Sequence, residues 1–199
     1  MRCIIGVFLA VVLIAGVCEQ VQGDIASGVV RLHIIANSDT DADQNIKLAV
    51  RDSVIAAQAR IFPDGIPENL TYEQKELLVQ TAEGVLRNKG VSYDVKIETG
   101  EFYFPTKKYE NITLPAGEYN AVRIVLGEGS GQNWWCVMYP PLCFTDSALG
   151  EMGAKSRDIL KEEIGQNYEI IAEESIKTVP TLKLLELWGV LKENMRRIL

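Results

Sequence analysis

The sequence predicts an α+β fold: a single domain with a mixed, largely antiparallel sheet packed by helices, plus a C-terminal helix. Three observations carry that expectation. The β-branched run VVRLHII at residues 29–35 ends at the turn-forming Ala36-Asn37-Ser38-Asp39 and reads as a buried strand. Two stretches with apolar residues at helical spacing follow it. From Ser92 the period then drops to 2, with Tyr93, Val95 and Ile97 alternating with Asp94, Lys96 and Glu98, which marks antiparallel strand territory.

Each element has a local cause. Thr40 with Asp43 three residues on fits a capping box, and Ile46, Val50, Val54, Ala57 and Ile61 repeat at helical spacing up to Pro63. That face is expected to pack on the sheet. PDGIPENL at 63–70 is a loop, and Thr71 with Gln74 caps a second helix that stops at Asn88-Lys89-Gly90, with Leu77, Leu78, Val85 and Leu86 as its apolar stripe. A Thr99-Gly100 break separates the first alternating segment from EFYF at 101–104. EYNAVRIVLGEG at 118–129 reads as a strand with a glycine-rich exit, and WWCVMY at 134–139 as its hairpin partner across the soft connection GEGSGQ. Pro140-Pro141 stops the pairing because neither can donate to a ladder. A helix is expected around Arg157 to Ile164, and a short strand or linker at 168–178. Pro180 and Thr181 open a final helix to Leu199 that carries Leu182, Leu185, Trp188, Leu191, Met195 and Ile198 on one side. Its basic face would suit a membrane surface, but Glu186 and Glu193 dilute that charge and favour a helix closing the core.

The front of the chain sets the compartment. Met1 and Arg2 are followed by sixteen residues from Cys3 to Cys18 without a charge, and polarity begins at Glu19. A basic start, an apolar run and the small residue Gly23 make a secretory signal over 1–23, with the cut expected after Gly23. The alternative is an uncleaved segment that associates with membrane through residues 3–18, although a full span needs roughly 20 apolar residues. Acylation at Cys18 is disfavoured by the bulk of Val17. Residues 24–199 then form one extracytoplasmic domain of adequate size for a core. Removing the signal takes Arg2 and Glu19 together, so the net charge of −7 is unchanged. An acidic chain without a basic block is a poor nucleic-acid ligand.

Chemistry is pruned by what is scarce. Asp39, Asp41 and Asp43 alternate like the opening of a calcium loop, but Gln44 and Val50 stand where its glycine and bidentate glutamate are needed. Carboxylates at a helix start offset the backbone dipole instead. Gly127-Glu128-Gly129-Ser130-Gly131 lacks the Lys-Ser/Thr of a phosphate cradle. His33 is the only histidine, so no metal site is expected: His33, Cys136 and Cys143 would need a fourth ligand. No cofactor is expected either. A cysteine hydrolase remains as an alternative, with Cys136 as nucleophile, His33 as base and Asn37 or Asp39 orienting it. Six residues separate Cys136 from Cys143, too many for a redox CxxC pair. With the signal gone, these two cysteines are the ones left. Outside the cytosol they are either a disulfide, contributing roughly 2.5 kcal/mol by loop closure, or two buried thiols. Trp134, Trp135, Tyr139, Pro140, Pro141 and Phe144 around them make either a rigid recognition surface or a share of the core.

Two blocks, RLHIIANSDTDADQNIKLAVRD at 31–52 and GQNWWCVMYPPLCF at 131–144, resemble the stage II sporulation protein R family. The resemblance covers most of residues 1–146 and implies a secreted signal rather than an enzyme. Such proteins are made in the forespore and exported into the space facing the mother cell. There they switch on a membrane-embedded aspartic-type protease that processes the sigma-E precursor. The family's motif positions fall here on His33, Asn37, Ser38, Asp39, Asp43, Lys47 and Arg51, and on Trp134, Trp135, Cys136, Pro140, Pro141, Cys143 and Phe144.

Overall fold

A computed structural model describes residues 2–62, 66–67, 70–109, 111–142 and 154–172, together with Trp188. The chain divides into two compact units. One holds Met1–Gly28, Tyr103–Glu118 and Arg157–Leu199, and the other Val29–Phe102 and Tyr119–Ser156. Helices and a mixed four-stranded sheet make the α+β class expected, and the sheet does not close into a barrel.

The second unit carries the motif blocks. Strand β1 (Val30–Ile35) leads through Asn37–Thr40 into α2 (Asp41–Ile61), and α3 (Tyr72–Asn88) packs on α2. Ile46, Val50, Val54, Ala57 and Ile61 are all buried, so the helical spacing identified the core-facing stripe. Thr71 and Gln74 form the complete capping box. In α3, Leu78, Ala82, Val85 and Leu86 are buried, whereas Leu77 is exposed. Strand β2 (Val95–Phe104) runs through Gly100 without the expected break.

The sheet order is β2-β5-β1-β6, with β5 (Gly117–Leu126) parallel and β6 (Asn133–Tyr139) antiparallel to β1. This corrects the expected β5–β6 hairpin: β1 lies between the two strands. Residues 127–132 therefore have to cross the end of β1 instead of making a tight turn. Strand β6 ends at Tyr139, and the Tyr139-Pro140 bond is cis.

The first unit contains α1 (Arg2–Ser27), the antiparallel pair β3 (Lys107–Tyr109) and β4 (Ile112–Leu114), α4 (Ala154–Ile164) from Arg157 onward, a 3-10 turn at Gly165–Asn167 and α5 (Tyr168–Ile171). Residues 168–171 are helical where a strand or linker was expected, and Ala172 makes only an isolated bridge to Ile112. Ile112, Leu114, Leu160, Ile164 and Ile171 are buried among these elements. Among the described residues no helix is long and apolar enough to cross a membrane. Apart from Trp188, the expected C-terminal helix lies outside the described residues.

Candidate functional site

Crossing the end of β1 brings the glycine loop onto the Asn37–Asp43 turn. Asn37 Oδ1 accepts from the Glu128 amide at 3.0 Å, and the Asn37 carbonyl accepts from the Ser130 amide at 3.2 Å and the Ser130 hydroxyl at 2.7 Å. The Gly131 amide donates to the Ala36 carbonyl at 3.0 Å, and the Gln132 amide to Asp39 Oδ1 at 2.7 Å. Gly127 and Gly129 have φ of +55° and +60°, and a Cβ on Gly127 would run into the Asn37 side chain. A Cβ on Gly131 would meet the Ser38 carbonyl. The amides from Gly127 to Gln132 all donate within the protein, so the loop is a fitted cover rather than an anion cradle.

Asp43 is the hub beneath this cover. Its carboxylate accepts from Ser38 Oγ at 2.5 Å, Asn37 Nδ2 at 2.8 Å and the Tyr93 hydroxyl at 3.2 Å. The bonds from Ser38 and Asn37 hold its pKa below the usual carboxylate value against the opposing effect of burial, and the Tyr93 bond adds to them. Burial and the adjacent Asp43 charge raise Tyr93 to about 12. Only half of the expected capping box at Thr40 forms: the Asp43 amide donates to Thr40 Oγ1 at 3.3 Å, while the carboxylate is committed to the hub. One turn on, the buried Lys47 ammonium donates to Gln44 Oε1 at 2.6 Å and to the Gln132 carbonyl at 3.0 Å. Desolvation lowers its pKa. Two turns on, the Arg51 guanidinium pairs with Asp52 at 2.7 Å and lies 4.4 Å from the centre of the Trp134 ring. Asp43, Lys47 and Arg51 thus occupy one stripe of α2, four residues apart.

The two tryptophans part company because adjacent strand residues face opposite ways. Ile34 opposes Trp134 and Leu32 opposes Cys136 on the face that meets α2; His33 opposes Trp135 on the other. His33 and Trp135 stack with centroids 3.8 Å apart, and His33 Nε2 donates to Asn133 Oδ1 at 2.7 Å. Burial, with a smaller contribution from Arg123, lowers His33 to about 4 despite the Asn133 bond, so the ring is neutral at pH 7. Arg123 is the next member of this row, opposite His33 on β5. It donates to Glu98 Oε2 through Nε at 2.6 Å and lies 4.3 Å from the Phe102 ring centre. Lower on the same face the fully buried Arg31 covers the Tyr119 ring at 4.8 Å and donates to the Cys136 carbonyl at 3.4 Å.

The expected residues are therefore only partly gathered. Asn37 and Asp39 meet the glycine loop, Asp43 binds Asn37 and Ser38, His33 meets Trp135, and Trp134 meets Arg51. Tyr139 is half-buried and Pro140 buried, while Pro141 is exposed. Cys143 and Phe144 lie outside the described residues. Cys136 is disulfide-bonded and buried. His33 and Cys136 project from opposite faces, and a sulfur in a disulfide is no nucleophile, so this arrangement does not assemble the Cys136–His33 pair. Among the described residues no group of three or more His, Cys, Asp or Glu side chains could hold a metal ion. Sequence reasoning missed Tyr93, which looked like one more residue of an alternating strand, and treated the glycine loop as soft. The regular spacing of Gly127, Gly129 and Gly131 was the available signal for a fitted loop.

Residues 26–149 match the family described as stage II sporulation protein R (spore_II_R). The stage II sporulation protein R of Bacillus subtilis (strain 168) is 35% identical over 158 residues, covering 73% of this chain and 66% of the relative. The chain thus spans about two thirds of that relative's length. No solved structure matches it. The match runs from before β1 to beyond β6 and so encloses both blocks that build the site: the chain belongs to the stage II sporulation protein R family.

Proposed function

We propose that this protein is an exported sporulation signal that activates a membrane-embedded aspartic-type protease, which then processes the sigma-E precursor in the mother cell. It acts in the extracytoplasmic space between the forespore and mother-cell membranes, as a protein ligand and not as an enzyme. The observation that carries this reading is the convergence of the two family blocks, whose paired residues Ile34 and Trp134 lie about 100 positions apart in the chain, on one hydrogen-bonded unit. Its polar groups are turned inward on one another, as expected of a rigid platform presented to a partner.

A ligand of this kind works by binding the active receptor form better than the resting form. The half-buried Trp135, stacked on His33 with Arg123 on the far side of that histidine, is the part of the motif blocks suited to that contact, since Trp and Arg dominate interface energies. Trp134, held against α2 by Arg51, is assigned a folding role.

The purified protein should be mixed with membranes carrying the candidate protease and the sigma-E precursor, and precursor cleavage followed. Cleavage that depends on the added protein is expected, with Trp135→Ala reducing it at least tenfold at an unchanged melting temperature. Failure of the folded wild-type protein to elicit cleavage overturns the reading; full activity of Trp135→Ala removes only the assigned contact.

A further inference from the structure

Asn133 opens β6 as a residue type disfavoured in strands, and it is exposed. An asparagine in such a place ordinarily turns to water. Here its Oδ1 accepts from His33 Nε2 at 2.7 Å, reaching across to β1 one diagonal step from its own register partner, Ile35. Trp135, two positions on and so on the same face, stacks on the same imidazole with 19° between the ring planes. One strand thus grips the histidine twice, Trp135 by the ring face and Asn133 by the ring edge. The oxygen acceptor also fixes the tautomer, because Nε2 has to carry the hydrogen.

We propose, resting on the reading of Trp135 as the partner contact, that Asn133 is a positioning residue: its bond holds the His33 ring flat against the Trp135 indole and so sets the orientation in which Trp135 is presented. The χ2 torsion of a histidine is broad, so burial does not select the plane of the ring. A directional bond at Nε2 does. The arrangement also needs a neutral ring. The charged groups on this face are Arg31 two positions back on β1, Arg123 opposite His33 on β5, and Lys96 and Glu98 on β2. Glu98 is held by both Lys96 and Arg123, and the Arg123 guanidinium is the charge that acts on the imidazole. A proton on His33 sets two cations side by side where burial already disfavours charge, and the ring leaves its place against Trp135.

His33 is the only histidine, so its imidazole gives one unambiguous NMR titration. That titration should be followed in the purified protein from pH 5 to pH 8, beside precursor cleavage over the same range and the order of the Trp135 indole N–H by nitrogen relaxation. Asn133→Ala should loosen the indole and lower cleavage at pH 8 by about fivefold. Asn133→Asp keeps the acceptor and should retain cleavage at pH 8. Its carboxylate should raise the imidazole midpoint by about 1–3 pH units, with cleavage relative to the wild type falling to one half at that midpoint. An asparagine that merely stabilised the fold would not tie the two midpoints together. Unchanged indole order in Asn133→Ala overturns the proposal whatever the cleavage assay gives. Asn133→Asp whose relative cleavage stays level while His33 titrates overturns it equally. Folded wild-type protein that elicits no cleavage at any pH overturns the protease reading instead, and the indole order still decides the positioning.

Discussion

His33 shows how one side chain's surroundings set a bulk property. Its pKa falls from 6.5 to about 4 in the folded protein because it is buried against Trp135 and near Arg123. Between those values the unfolded chain binds a proton that the folded one does not, so stability is complete above pH 6.5 and declines as pH falls toward 4. The loss should be on the order of 2 kcal/mol. Urea midpoints at pH 7 and pH 5 should show that slope, and His33→Gln should flatten it. Asp43 has the same sign in a lower window: its depressed carboxyl stabilises the fold above the ordinary Asp range and loses that contribution below about pH 4. Asp43→Asn keeps the shape but replaces charge-assisted bonds from Ser38, Asn37 and Tyr93 with neutral ones, and one oxygen with a donor facing donors. A loss of about 2–3 kcal/mol is expected in chemical denaturation at pH 7.

Among the elements, the loop at 127–132 is the most constrained by its neighbours. Gly127 combines φ of +55° with a Cβ direction that points into Asn37. Gly127→Ala adds left-handed strain of about 1–2 kcal/mol and displaces the side chain that holds the Glu128 amide. It should lower the urea midpoint and speed amide exchange at Glu128 and Ser130, whose partners are both on Asn37. Faster exchange confined to those positions would locate the damage in the loop. Gly90, also at positive φ, follows α3 where a left-handed residue closes a helix end, and no side chain is near it. The local caps of α2 and α3 were legible because the donor and acceptor lie three residues apart. The diversion of the Asp43 carboxylate was not, since its partner Tyr93 is 50 residues away.

At the scale of the whole molecule the acidic balance makes a prediction independent of any site. With a net charge of −7, pI about 4.9 and both Lys47 and Arg51 buried in polar contacts, the protein offers no clustered basic surface along its motif blocks. It should not be retained on duplex DNA or heparin at 0.15 M salt, where binding depends on phosphate neutralisation. Retention there would reveal a basic surface built from the far parts of the chain.

The sequence by itself determined the class of fold, the strand at 30–35, the helices α2 and α3 with their N-cap residues and the buried stripe of α2, the end of β6 at Pro140 and the family. All of these depend on residues a few positions apart or on unbroken blocks. Only the tertiary structure decided that β1 separates β5 from β6, that the glycine loop is a cover for the Asn37–Asp43 turn, and that Trp134 and Trp135 serve opposite faces. A periodic strand pattern says which residues alternate but not which neighbour they pair with or which face is covered. Those choices are made by contacts across long chain separations, where burial and hydrogen bonding must outweigh the entropy of closing the loop.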